Sequence, residues 1–87
     1  LTIRFPASGA EYLIPYFSDS GLLKDMEFMV DADYSYELLY WFLDGKLVAT
    51  TSEPFCRVFL EKGNHILAVS DKAGHSDRVN FMITQMD

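Results

Sequence analysis

Cys56, His65 and His75 are the side chains of this 87-residue chain best suited by type to chemistry. A catalytic thiol needs a base within hydrogen-bond reach and a third group to orient that base. Cys56 falls inside an alternating run that reads as a strand, where an inert, half-buried thiol is the ordinary outcome. Nothing around it matches a cysteine-enzyme signature. His65 opens another alternating run, and its imidazole suits a bond to a backbone group at the strand corner. His75 sits in a turn and reads as solvated. The two histidines and the one cysteine have no zinc spacing. Asp31, Asp33 and Asp71 could offer oxygens to calcium at one end of a sandwich. The fixed acidic positions and central glycine of a dedicated calcium loop are missing, so these read as solvated loop carboxylates. The acids are too scattered to pair for glycoside hydrolysis. The five glycines stand singly at turns rather than in a phosphate-cradling loop. No catalytic, cofactor-binding or metal-binding residue is assigned, and the chain reads as non-catalytic.

The elements that position these residues are β-strands. Period-two alternation runs through Leu1–Phe5, Glu11–Ile14, Met26–Asp33, Leu38–Thr51, Pro54–Leu60, His65–Ser70 and Val79–Ile83. Turn signals recur between them: Pro6-Ala7-Ser8-Gly9, Lys62-Gly63-Asn64 and Asp71-Lys72-Ala73-Gly74. Pro15 restricts the second segment to a sheet edge. Residues 16–25 read as a loop in which Leu22 and Leu23 could pack. The strongest local signal is Tyr40 to Ala49, two strands joined by Asp44-Gly45. A type I′ turn needs positive φ at both central residues, which Gly adopts freely and Asp better than most. Tyr34 to Phe42 could instead be helical, but the Asp-Gly turn directly after it favours a strand. About seven short strands with regular turns predict an all-β, immunoglobulin-like β-sandwich spanning residues 1–87 as a single domain. Trp41 takes the place of the buried tryptophan of the third strand. Gly63-x-His65-x-Leu67 has the spacing of the tyrosine corner, with His65 for tyrosine and Leu67 for the core cysteine. Phe28 or Val30 against Leu67 would then replace the disulfide.

Composition narrows the partners. A hydrophobic fraction of 49% supports a packed core, and one cysteine excludes an internal disulfide. The net charge of −6 and a pI near 4.6 repel phosphate backbones and anionic lipid, which argues against nucleic acid and the membrane surface. No apolar run approaches the roughly 20 residues that span a bilayer, so no membrane insertion is expected. The start at Leu1, without methionine or signal segment, reads as a piece of a longer protein.

The aromatic excess is what a purely structural account leaves over. On the hairpin, Leu39, Trp41 and Leu43 face one way, with Val48 expected opposite Trp41. Tyr40 and Phe42 face the other, with Leu47 and Ala49 expected across from them. With one face in the core, Tyr40, Phe42, Leu47 and Ala49 form a candidate contact surface. The alternative is a glycan-binding module, with Tyr12, Tyr16, Phe17, Tyr34 and Tyr36 offering rings to sugar faces.

Three stretches also carry a family resemblance. Ile3-x-Phe5-Pro6-x-x-Gly9-Ala10 is similar to an opening "I-x-Y-P-x-x-G-A" motif, and Leu39 to Gly45 to its central hairpin. Gly63-x-His65-x-Leu67-x-Val69-x-Asp71-x-x-Gly74 with Arg78-Val79-x-Phe81 is similar to its closing half. Together they resemble the C-terminal domain of bifunctional penicillin-binding proteins of the 1C type. The resemblance implies an accessory domain following glycosyltransferase and transpeptidase domains in an inner-membrane-anchored builder of peptidoglycan. It implies a periplasmic location, no cofactor and no catalytic residue here. The implied partners are the preceding catalytic domains or another cell-envelope protein, with peptidoglycan the alternative. Tyr16 to Lys24 matches no part of the pattern.

Overall fold

The computed structural model describes residues 1–14 and 23–85, and in them the alternating runs become eight strands. These are β1 (Thr2–Phe5), β2 (Glu11–Ile14), β3 (Lys24–Asp31), β4 (Leu39–Leu43), β5 (Lys46–Thr51), β6 (Phe55–Leu60), β7 (Gly63–Ser70) and β8 (Ser76–Gln85). They form two sheets, ordered β1-β3-β6 and β2-β8-β7-β4-β5. The chain is an all-β sandwich without a disulfide, one strand richer than about seven. Tyr34 to Leu38 is a connection and Leu39 begins β4, so the helical alternative falls away. Of the loop expected at residues 16–25, residues 16–22, with Tyr16, Phe17 and Leu22, lie outside the described residues, while Lys24 and Asp25 already belong to β3, paired with Leu60 and Phe59 of β6.

The core follows from the alternation. Leu39, Trp41, Leu67, Val69, Phe81 and Ile83 of the larger sheet meet Ile3, Met26, Phe28, Val30 and Leu60 of the smaller. Phe28 is the bridge: it stacks on Trp41 at 6.4 Å and sets an edge against Phe81 at 6.1 Å. Fully burying such a side chain is worth about 1.5–3 kcal/mol, before any aromatic geometry is counted. The indole N–H of Trp41 would be costly to bury unpaired. It donates to Thr51 Oγ1 at 2.8 Å, and that hydroxyl donates onward to the Glu53 carbonyl.

The opening motif is the point where the chain changes sheets. β1 pairs with β3, then Pro6 to Ala10 carry the backbone across the edge of the sandwich. Gly9, at φ 76°, donates its N–H to the Asn80 carbonyl, and Ala10 accepts from Met82. β2 then runs parallel to β8 at the sheet edge, as the proline after it requires.

One expected register is corrected. Asp44 (φ 52°) and Gly45 (φ 85°) form the positive-φ turn, and Phe42 pairs with Leu47. The ladder then slips, so that Ala49, not Val48, stands opposite Trp41, and Thr50 stands opposite Tyr40. Val48 is the extra residue of a β-bulge, which twists this edge strand. Ala49 is thereby turned to the inner side, half-buried against the core.

Candidate functional site

Two carboxylates organise the two hairpin ends. Asp44, held at the β4–β5 turn by its positive φ, accepts from the Ile66 amide at 2.9 Å through Oδ1. Its Oδ2 lies 2.7 Å from Nδ1 of His65, and Nε2 of the same ring donates to the Glu61 carbonyl at 2.7 Å. This is the bond back to the upstream backbone that a tyrosine corner makes, with imidazole in place of phenol. Burial works against ionising Asp44, but the bonds from His65 and Ile66 outweigh it and hold the carboxyl below its ordinary range.

Asp71 does the same for the β7–β8 turn. It accepts from the amides of Ala73 and His75, from His75 Nδ1 at 2.9 Å and from the Tyr34 hydroxyl at 2.8 Å. Burial opposes its ionisation, and these donors, Tyr34 first, more than compensate and lower its pKa. Burial and the bond to Asp71 push Tyr34 up to about 12. His75 stacks on Tyr34 at 4.1 Å while about half of its side chain stays exposed, so the solvated turn residue also packs.

These contacts leave no reacting centre among the described residues. Cys56 is buried in β6, and burial pushes its thiol up to about 12, far from a thiolate at neutral pH. His65 and His75 are committed to Asp44 and Asp71, neither near Cys56 in the hydrogen-bond pattern. Asp31 pairs with Arg4 at 3.6 Å, and Asp71 is saturated by donors. No group of three or more His, Cys, Asp or Glu among the described residues is arranged to hold a metal ion. Two of the proposed sugar-stacking rings are also occupied. Tyr12 receives the Ala7 amide on its hydroxyl and packs against Phe5 and Phe81, and Tyr34 lies between Tyr36 and His75.

The outer face of the five-stranded sheet remains. Tyr40 and Phe42 alternate with buried Leu39 and Trp41 and so point outward, with Leu47 beside Phe42 and 55% exposed. β7 adds Ala68 opposite Phe42 and, two residues back, Ile66, 43% exposed. β8 adds Met82, and a shallow depression of about 380 Å³ opens between Ile66 and Met82, flanked by Asn64 and Asn80. Ala49 drops out of this face and Ile66 and Met82 join it. The alternation of β7 and β8 already marked both as outward, but not that their strands lie beside β4. On β4, β7 and β8, Arg78 alone brings charge to the face.

Sheets of three and five strands, with the first strand split between them, define a fibronectin type III-like sandwich. The fibronectin(III)-like modules of CbhA from Clostridium thermocellum share this fold at a TM-score of 0.68 and 13% identity, over 95% of this chain and 93% of theirs. The model of the Penicillin-Binding Protein C-terminus Family matches residues 1–81, and the chain belongs to that family. No curated protein sequence matches the chain.

Proposed function

We propose that this domain is a non-catalytic accessory module of a bifunctional penicillin-binding protein of the 1C type, active in peptidoglycan synthesis. It would stand on the extracytoplasmic side of an inner-membrane-anchored chain. Its working surface is the outer face of the larger sheet, Tyr40, Phe42, Leu47, Ile66 and Met82, docked on the preceding catalytic domains. The observation that carries this reading is the chemical contrast of that face with the rest of the chain. A protein of net charge −6 presents there, on β4, β7 and β8, apolar side chains among the uncharged Asn64 and Asn80, with Arg78 the one charge on those strands and Glu11 of β2 beside Met82 at the margin. Depletion of charge with enrichment in aromatic residues and methionine is the composition of an interface core.

The test mixes the chain with the purified catalytic portion of the parent synthase and follows amide resonances. Shifts should centre on Phe42, Leu47 and Ile66 and vanish in the Tyr40→Ala/Phe42→Ala double variant. Binding that survives the double variant removes this face as the site. Binding only to another envelope protein keeps the face and changes the partner.

A further inference from the structure

The sandwich has four sheet edges, and three of them carry devices that discourage pairing with another chain. β1 is four residues long, its register breaks between Ile3 and Phe5, and buried Pro6 ends it. β2 has four residues and is followed in sequence by Pro15. β5 is broken by the bulge at Val48 and begins with Lys46. β6 follows Pro54 and carries Arg57, but it has no register break or bulge: six consecutive residues pair regularly with β3, from Phe55 against Met29 to Leu60 against Lys24.

The direction of its free backbone groups follows from the ladder. Val30 donates to the Pro54 carbonyl at 3.0 Å, which makes Val30 and Pro54 a hydrogen-bonded pair. Such pairs alternate along antiparallel strands, so Cys56, Val58 and Leu60 exchange their bonds with β3. The N–H and C=O groups of Phe55, Arg57 and Phe59 therefore point away from the sheet. Among the described residues no strand pairs with that side. Phe55 and Phe59 are 45% and 53% exposed on its outer face. Arg57 between them is drawn back by Asp25 at 2.8 Å and Glu27 at 3.6 Å.

We propose that β6 is a pairing edge whose partner is β6 of a second copy of this chain, added antiparallel to join the two small sheets into one of six strands. The added strand must be apolar on both faces, to cover Phe55 and Phe59 outside and half-buried Val58 inside. β6 meets that requirement itself, with phenylalanines on one face and Cys56, Val58 and Leu60 on the other. Pairing Val58 with its own copy sets each Arg57 guanidinium beside the other copy's Phe59 ring, a favourable cation–aromatic contact. It also keeps the two Arg57 residues from standing opposite each other, which like charges oppose. The edge is separate from the Phe42 face, so both surfaces can be occupied at once.

Sedimentation across a concentration series, with amide hydrogen exchange on the same samples, tests this. The mass should rise toward twice that of the monomer while the Arg57 and Phe59 amides become protected. Phe59→Pro removes an N–H that faces solvent and no bond to β3, so it should stay folded and monomeric throughout. Phe59→Lys should do the same by charge, should the proline variant fail to fold. Phe42→Lys should still dimerise. A chain that stays monomeric at every concentration overturns the proposal, as does a dimer that persists in a folded Phe59 variant or is lost with Phe42→Lys.

Discussion

Asp44 and His65 lie 21 residues apart in sequence and 2.7 Å apart in space, and their contact fastens the turn of the β4–β5 hairpin to the corner where β7 begins. The two ring nitrogens of His65 lie between the Asp44 carboxylate and the Glu61 carbonyl, each 2.7 Å away. Asp44→Ala removes this contact and the bond from the Ile66 amide, and leaves alanine at a positive φ. The side chain is partly exposed, so water recovers some of the loss. A destabilisation of about 1–2 kcal/mol is expected. Asp44→Asn, which keeps one acceptor and tolerates the left-handed conformation, should cost less. Urea titrations of the two variants check the order; an alanine variant as stable as the asparagine one would mean that the turn does not depend on this staple.

Acid should loosen both hairpin ends. Asp44 and Asp71 both titrate below their ordinary value of 3.8 in the folded chain. Between the folded and unfolded values the unfolded chain binds more protons, so stability rises with pH there. The contribution is present in full above 3.8 and is lost as the pH falls through the folded values. Thermal midpoints should therefore be flat through the neutral range and drop steeply below 3.8. In Asp71→Asn the neutral-pH midpoint should fall and the acid drop should be shallower. An unchanged acid slope in that variant would show that Asp71 does not carry its share.

Among the described residues Phe28 is the one ring in contact with aromatic partners from both β4 and β8 across the sandwich, which makes it a sensitive core position. Phe28→Ala should cost about 3–5 kcal/mol, a large part of what holds a domain of this size together. Phe28→Leu should cost less, because it restores most of the volume. Denaturation followed by the fluorescence of Trp41, which Phe28 stacks on, reports both. A loss below that of an ordinary surface substitution would contradict the bridge.

What the sequence declares about this fold is local. Asp44-Gly45 specifies its turn through the φ angles that those two residues tolerate, and Trp41 follows as the buried member of an alternating strand. The His65 bond to the upstream backbone was legible too, because the corner spacing encodes it. The Asp44–His65 contact was not, since it depends on β4 and β7 becoming neighbours, which no window of residues states. The contact face divides in the same way. Phe42 and Leu47 share a hairpin and could be paired from the turn outward, whereas Ile66 and Met82 join them only through strand order. Ala49 was misplaced because nothing in Lys46–Thr51 marks Val48 as an extra residue.

That extra residue makes a test of its own. Val48 stands outside the ladder, with Phe42 against Leu47 on one side of it and Trp41 against Ala49 on the other. Deleting Val48 joins those two pairs without moving either, so Ala49 should remain opposite Trp41 and the chain should fold with a loss of no more than about 1 kcal/mol. Deleting Ala49 instead would bring the larger Val48 against the indole and should cost more, by overpacking the core. A cross-strand proton contact between Trp41 and Ala49 in the first variant confirms the register, and its absence in a folded protein would refute it. Removing the bulge also strips β5 of its twist, the device that sets it apart from β6 as a pairing edge. The shortened chain should accordingly self-associate at lower concentration than the parent, in a way that Phe59→Pro no longer fully prevents.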